Sequence, residues 1–189
     1  YAVREIVVLG STGSIGEQTL EIVRDNPEKF RVVGLAAGSS NIDRLISQAR
    51  EFDVAIIATS ASNLATRDLA DGIEVIDGVG AAKQIASLPC DVVVNAINGS
   101  IGLGPTLAAL EVGNTVALAN KESLVAGGDL VIAHGRDRLI PVDSEHSALF
   151  QAMKSGKLSE VSKVVLTASG GPFRQRYDLS SVTVDEALA

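Results

Sequence analysis

Short apolar runs, several rich in Val and Ile and none cleanly alternating, recur along this chain with helical periodicity between them. They cover Glu5–Leu9, Arg31–Ala36, Val54–Ala58, Ile73–Ile76, Val92–Asn95, Thr115–Leu118, Leu139–Val142 and Lys163–Ala168. A strand that faces water on one side alternates apolar with polar residues, and a strand covered on both faces does not. The predicted helices between them include Ile42–Glu51, Asn63–Ala70, Gly80–Ser87, Gly104–Val112, Gly127–Gly135 and Ser147–Ser155. Strand and helix taken in turn predict an α/β fold, a doubly wound and mostly parallel sheet of the Rossmann-like kind.

The first strand runs straight into Gly10-Ser11-Thr12-Gly13-Ser14-Ile15-Gly16, and a helical stretch, Glu17–Val23, follows. Glycines at such a turn let backbone approach a pyrophosphate, and the helix start offers free N–H groups to its charge. An ordinary tight turn is the alternative. The second strand ends in Gly38-Ser39-Ser40-Asn41, with Arg44 one turn on. NAD-specific sheets carry an acid near this place to hold the ribose 2′-hydroxyl. Its lack here favours NADP over NAD; a plain polar loop with a solvated Arg44 is the competing reading.

The length of 189 residues suits one domain, or one with part of a second, and 46% hydrophobic residues supply its core. A net charge of −7, with no basic run, argues against nucleic acid. Cys90 is the only cysteine, so no intrachain disulfide and no cysteine zinc site can form. Its apolar setting reads as structural. A reducing, cytoplasmic setting is expected. No apolar stretch reaches membrane-spanning length and no signal peptide precedes the first strand, so no membrane association is expected. The first residue is Tyr1 rather than Met, which suggests a trimmed start.

Four further segments lie at strand ends, and the first two should share the sheet's carboxyl edge, where ligands of such sheets bind. Asn98–Gly102 follows one strand. Asn120-Lys121-Glu122-Ser123 follows the next, where Lys121 can neutralise a substrate anion while Asn120 and Glu122 bond a nicotinamide ribose or orient the lysine. A capped helix start, with Glu122 complementing the dipole, explains the same residues equally well. In Asp143-Ser144-Glu145-His146 an extended backbone would put both carboxylates on one face, suited to Mg²⁺ or Mn²⁺, with Ser144 donating to a substrate oxygen. A helix N-cap with first-turn acids competes. His146 reads more readily as neither ligand nor acid/base group. Ser169-Gly170-Gly171, followed by Arg174, suits an anion nest or simply a turn.

Gly10–Gly16, Ala119–Ser123, Val142–Ala148 and Thr167–Arg174, taken together and in this order, resemble the 1-deoxy-D-xylulose-5-phosphate reductoisomerase family. The likeness runs through nearly the whole chain. It implies an NADPH-dependent isomeroreduction of a ketose phosphate, part of non-mevalonate isoprenoid synthesis, with a divalent cation. By resemblance Thr12, Gly13, Ser14 and Ile15 hold the pyrophosphate, and Gly38, Ser39 and Ser40 lie by the 2′-phosphate. Asn120 and Glu122 contact the cofactor and Lys121 the substrate. Asp143 and Glu145 bind the metal; Ser144, Glu145 and Ser169 bond the substrate. Lys121, Asp143 and Glu145 form the catalytic set, and the full-length enzyme is expected to be a homodimer.

The chain departs from the family pattern in two places. The family often has a lysine where Ser39 stands. Beyond Val182–Ala189 the family continues into a Trp- and His-bearing loop, phosphate-binding residues, a third metal carboxylate and a helical domain. The chain is therefore read as an N-terminal part, with an NADP-binding domain over residues 1–142 and the start of a truncated catalytic domain over 143–189, inactive alone. Two alternatives are a homoserine dehydrogenase-like oxidoreductase, which lacks the Asp-Ser-Glu-His segment, and a non-catalytic NADP-binding module.

Overall fold

The Val- and Ile-rich runs lie side by side. The structure, a computed structural model, describes residues 2–64, 72–167, 173–175 and 178–188. β1 (Arg4–Leu9), β2 (Phe30–Ala37), β3 (Ile56–Thr59), β4 (Glu74–Asp77), β5 (Val92–Asn95), β6 (Thr115–Leu118) and β7 (Leu139–Pro141) form one sheet in the order β4-β3-β2-β1-β5-β6-β7. Every neighbouring pair is parallel, so the sheet is wholly rather than mostly parallel. β1 to β4 extend one way and β5 to β7 the other. A crevice opens at the carboxyl ends where winding reverses, here between β1 and β5.

Both faces of the sheet are covered, which is why the strands do not alternate. Val7 and Leu9 of β1 pack with α3 (Ala81–Ala86), α4 (Leu103–Glu111) and Val131 of α5 (Glu122–Gly135). Ile6 and Val8 pack with α1 (Ser14–Asp25) and α2 (Ile42–Glu51) on the other face. Burying each such side chain contributes about 1.5–3 kcal/mol. α1 turns Gly16, Leu20 and Val23 inward at helical spacing and ends at Asn26, whose N–H bonds Val23 O.

Several boundaries differ from the expected ones. α5 starts at Glu122, not Gly127, and passes through Gly127 with a kink (φ −139°, ψ 31°). A Cβ on Gly127 would come 2.7 Å from Leu103 Cδ1, so glycine there admits the close approach of α4. Asn63 and Leu64 are not helical, and the rest of the Asn63–Ala70 helix lies outside the described residues.

The chain divides into two compact units, Tyr1–Asp143 and Ser144–Ala189. The second contains α6 (Ser144–Met153), a 3₁₀ turn at Leu158–Glu160 and α7 (Val184–Leu188). Residues 163–167 are not the strand expected over Lys163–Ala168. A strand needs a neighbour for its N–H and C=O groups. None of the described residues pairs with this run, and Val164, Val165 and Leu166 are exposed.

Candidate functional site

Gly10 ends β1 with φ +77°, a conformation costly for other residues, and a Cβ there would lie 2.6 Å from Ala96 O. The turn therefore presses backbone to backbone against the loop after β5. Gly13 precedes α1 with extended backbone and no side-chain cap. The first-turn N–H groups thus have no side-chain acceptor, and the positive helix end faces outward. Thr12 is half-buried; Gly13, Ser14 and Ile15 are exposed. Such an opening suits an anion.

Gly38, Ser39 and Ser40 are exposed beyond β2, and a Cβ on Gly38 would meet nothing within 4 Å. Thr59 Oγ1 donates to Gly38 O at 3.2 Å. Arg44 is not simply solvated. Its Nε and Nη2 donate to Glu17 Oε1 and Oε2 at 2.8 and 2.7 Å. That guanidinium holds the Glu17 carboxyl below its usual range. Gln48 Nε2 donates to Ser11 O at 3.0 Å and Glu17 Oε1 at 2.9 Å, tying the glycine turn to α2. Ser11 Oγ and Gln48 Oε1 are buried with no hydrogen-bond partner among the described residues.

At the β5 and β6 ends the capped helix start is realised. Asn120 Oδ1 accepts the Ser123 N–H at 2.9 Å and the Ser123 hydroxyl. Asn120 Nδ2 donates to Ile97 O and, at 2.7 Å, to Gly99 O. The side chain, 2% exposed, is thus engaged in holding the Asn98–Gly102 loop. Lys121 stands exposed with Nζ 2.9 Å from Asp143 Oδ2. Glu122 is exposed in the first turn of α5, where its charge complements the helix dipole.

Asp143 closes the first unit, half-buried. Glu145 is not on extended backbone: with Ser144 and His146 it lies exposed in the first turn of α6. The helical arrangement of the competing reading holds there, because an acid in a first turn is favoured by the helix dipole. Ser144 Oγ donates to Glu145 Oε2 at 2.6 Å. Ser169 and the glycines after it lie outside the described residues; Arg174 is exposed. Among the described residues no three His, Cys, Asp or Glu side chains converge as metal ligands.

Sequence reasoning missed Asn95 and Thr106, both 0% exposed. The available signal was a polar residue ending the apolar run Val92-Val93-Val94-Asn95. No described helix is long and apolar enough to cross a membrane.

Residues 6–128 match the sequence model of 1-deoxy-D-xylulose 5-phosphate reductoisomerase, and residues 139–189 that of its C-terminal domain. The reductoisomerase of Beutenbergia cavernae is 52% identical over 198 residues, covering 98% of this chain and 50% of the relative. The Zymomonas mobilis reductoisomerase, solved with NADPH, superposes with TM-score 0.83 at 37% identity, covering 93% of this chain and 48% of that one. A DOX-P reductoisomerase solved with NADPH, fosmidomycin and magnesium gives TM-score 0.79 at 36% identity, over 99% of this chain and 51% of that one. The chain spans about half the length of the curated relatives it matches. The homoserine dehydrogenase alternative is thereby set aside, and this chain belongs to the 1-deoxy-D-xylulose 5-phosphate reductoisomerase family.

Proposed function

We propose that this chain is the cofactor-binding part of an enzyme that converts 1-deoxy-D-xylulose 5-phosphate to 2-C-methyl-D-erythritol 4-phosphate with NADPH and Mg²⁺ or Mn²⁺. The observation that carries the reading is the uncapped start of α1 behind the glycine turn, at the crevice between β1 and β5. Relatives solved with NADPH and with magnesium support it.

Thr12, Gly13, Ser14 and Ile15 bind the pyrophosphate through backbone N–H groups. The open space at Gly38, with the hydroxyls of Ser39 and Ser40, suits a 2′-phosphate. Glu122 contacts the nicotinamide ribose end, and Asn120 serves it by holding the loop carbonyls of Ile97 and Gly99 in place. Lys121 neutralises a substrate anion, and Ser144, Glu145 and Ser169 bond substrate oxygens. Asp143 and Glu145 are hard oxygen donors of the kind a divalent cation takes, and two of them leave most of its shell to other ligands. When bound, NADPH supplies the hydride and the cation polarises the substrate oxygens. Lys121, Asp143 and Glu145 are the residues through which this part orients substrate. We place the division of labour near residue 142, with the catalytic portion beginning at 143, and the full-length protein as a cytoplasmic homodimer acting on a small sugar phosphate.

The test is NADPH oxidation with 1-deoxy-D-xylulose 5-phosphate and Mn²⁺, run on this chain and on a protein extended to the length of its relatives. The extended protein should turn over and this chain should not, because orientation contributes roughly 7–11 kcal/mol in the best cases. No turnover by the extended protein sinks the activity. Equal rates show that the catalytic set is complete within these residues. A non-catalytic NADP-binding module, the second reading, predicts tight NADPH binding with no turnover by either.

A further inference from the structure

We propose that Thr106 and Asn95 are positioning residues for the nicotinamide half of the dinucleotide site, acting through the Ile97–Gly102 loop and Asn120. The inference rests on the dinucleotide reading above and adds to it two residues that touch no ligand.

Asn95, Thr106, Asn120 and Ser123 are all at most 2% exposed, in a region otherwise built from Val, Leu and Ala. Buried polar side chains persist where their hydrogen bonds are satisfied, and there they hold one arrangement. Here they form one connected set. Asn95 Nδ2 donates to Gly102 O at 2.9 Å and to Thr106 Oγ1 at 2.8 Å. The Thr106 hydroxyl has one proton to give, either to the same Gly102 O at 2.9 Å or to Ser123 Oγ at 3.4 Å. Ser123 in turn bonds Asn120, whose amide holds Ile97 O and Gly99 O. The Ile97 N–H closes the loop onto Asn95 Oδ1 at 3.2 Å. A Cβ on Gly102 would stand 2.7 Å from Asn120 Cγ, so the amide packs flat on a residue without a side chain.

The set sits where it can act on a ligand. The loop it fixes follows β5, across the crevice from the glycine turn, and touches that turn through Gly10. A dinucleotide in a doubly wound sheet spans this crevice. Its adenosine half lies on the β2 side with Gly38, so its nicotinamide half lies over the ends of β5 and β6. Thr106, in α4, reaches that wall through Gly102, Asn95 and Ser123. A change at Thr106 should therefore be felt by one half of the ligand. A role confined to stability would act on both halves alike or on neither.

The probes are NADPH and adenosine 2′,5′-bisphosphate, which carries only the adenosine half. Each is titrated by calorimetry against this chain and its Thr106→Val, Thr106→Ser and Ser123→Ala variants, with circular dichroism confirming the fold. Thr106→Val, which removes the bonds to Asn95 and Gly102, should weaken NADPH about five- to tenfold and leave the bisphosphate within about twofold. Thr106→Ser keeps the hydroxyl and should restore NADPH. Ser123→Ala should show the same one-sided loss, and it decides the matter if Thr106→Val does not fold. Folded variants that lose both probes equally, or neither, overturn the positioning role. If the unsubstituted chain binds neither probe, the dinucleotide reading itself falls, and this inference with it.

Discussion

Lys121 Nζ and Asp143 Oδ2 lie 2.9 Å apart, although 22 residues separate them in the chain. Parallel pairing of β6 with β7, in register Leu118 with Pro141, brings the two strand ends side by side. Lys121 follows one end by three residues and Asp143 follows the other by two. With the lysine side chain 58% exposed, the pair is worth under about 1 kcal/mol, little enough for a ligand to separate it.

A cation bound at Asp143 must compete with that ammonium. Calorimetry with Mn²⁺ is expected to show a weak site on this chain, lost in Asp143→Asn. Lys121→Met should tighten it about threefold by removing the competitor. Undiminished Mn²⁺ binding in Asp143→Asn would place the metal elsewhere.

The end of β2 carries no acid to hold a 2′-hydroxyl, so NADPH should bind better than NADH in a fluorescence titration. Gly13→Asp should abolish both, since a carboxylate would stand where the pyrophosphate charge must sit. Equal or tighter NADH binding would refute the preference.

Two glycines should respond in opposite ways. A Cβ on Gly16 would overlap Gly10 O and lie 2.6 Å from Ser11 Cα, all backbone that cannot swing aside. Gly16→Ala should cost about 3 kcal/mol in urea unfolding, the upper end for overpacking. Gly38 faces open space, so Gly38→Ala should move stability by less than about 0.5 kcal/mol. It should still weaken NADPH if the 2′-phosphate lies there. A large stability loss in Gly38→Ala would contradict the open geometry.

Burial pushes the Cys90 thiol from 9.0 up to about 11. At pH 8 it stays protonated and iodoacetamide should label it slowly. Between pH 9 and 11 the unfolded chain releases this proton while the native chain keeps it. The contribution to stability is therefore full below pH 9 and lost as pH rises through that window. The urea midpoint should fall less over this range in Cys90→Ala than in the parent; an identical fall in both would show that the thiol plays no part.

The sequence by itself determined the α/β class, the order of the strands through β7, and the glycine turn opening on α1. These rest on local signals: period, glycine placement and unbroken apolar runs such as Val92–Val94, whose meaning does not depend on distant residues. Only the tertiary structure decided which polar groups are already engaged. Asn120 reads equally well as a ligand contact or as part of a capped helix start until Ile97, Gly99 and Ser123 are seen around it, and the competing reading of Arg44 as a solvated side chain stands until Glu17 is seen beside it. Val164–Leu166 has strand composition but pairs with no described neighbour, and Glu145, two residues beyond Asp143, is carried by a helix rather than a strand. Strand formation and hydrogen-bond satisfaction depend on what lies across space, and a reading along the chain sees only what lies beside each residue.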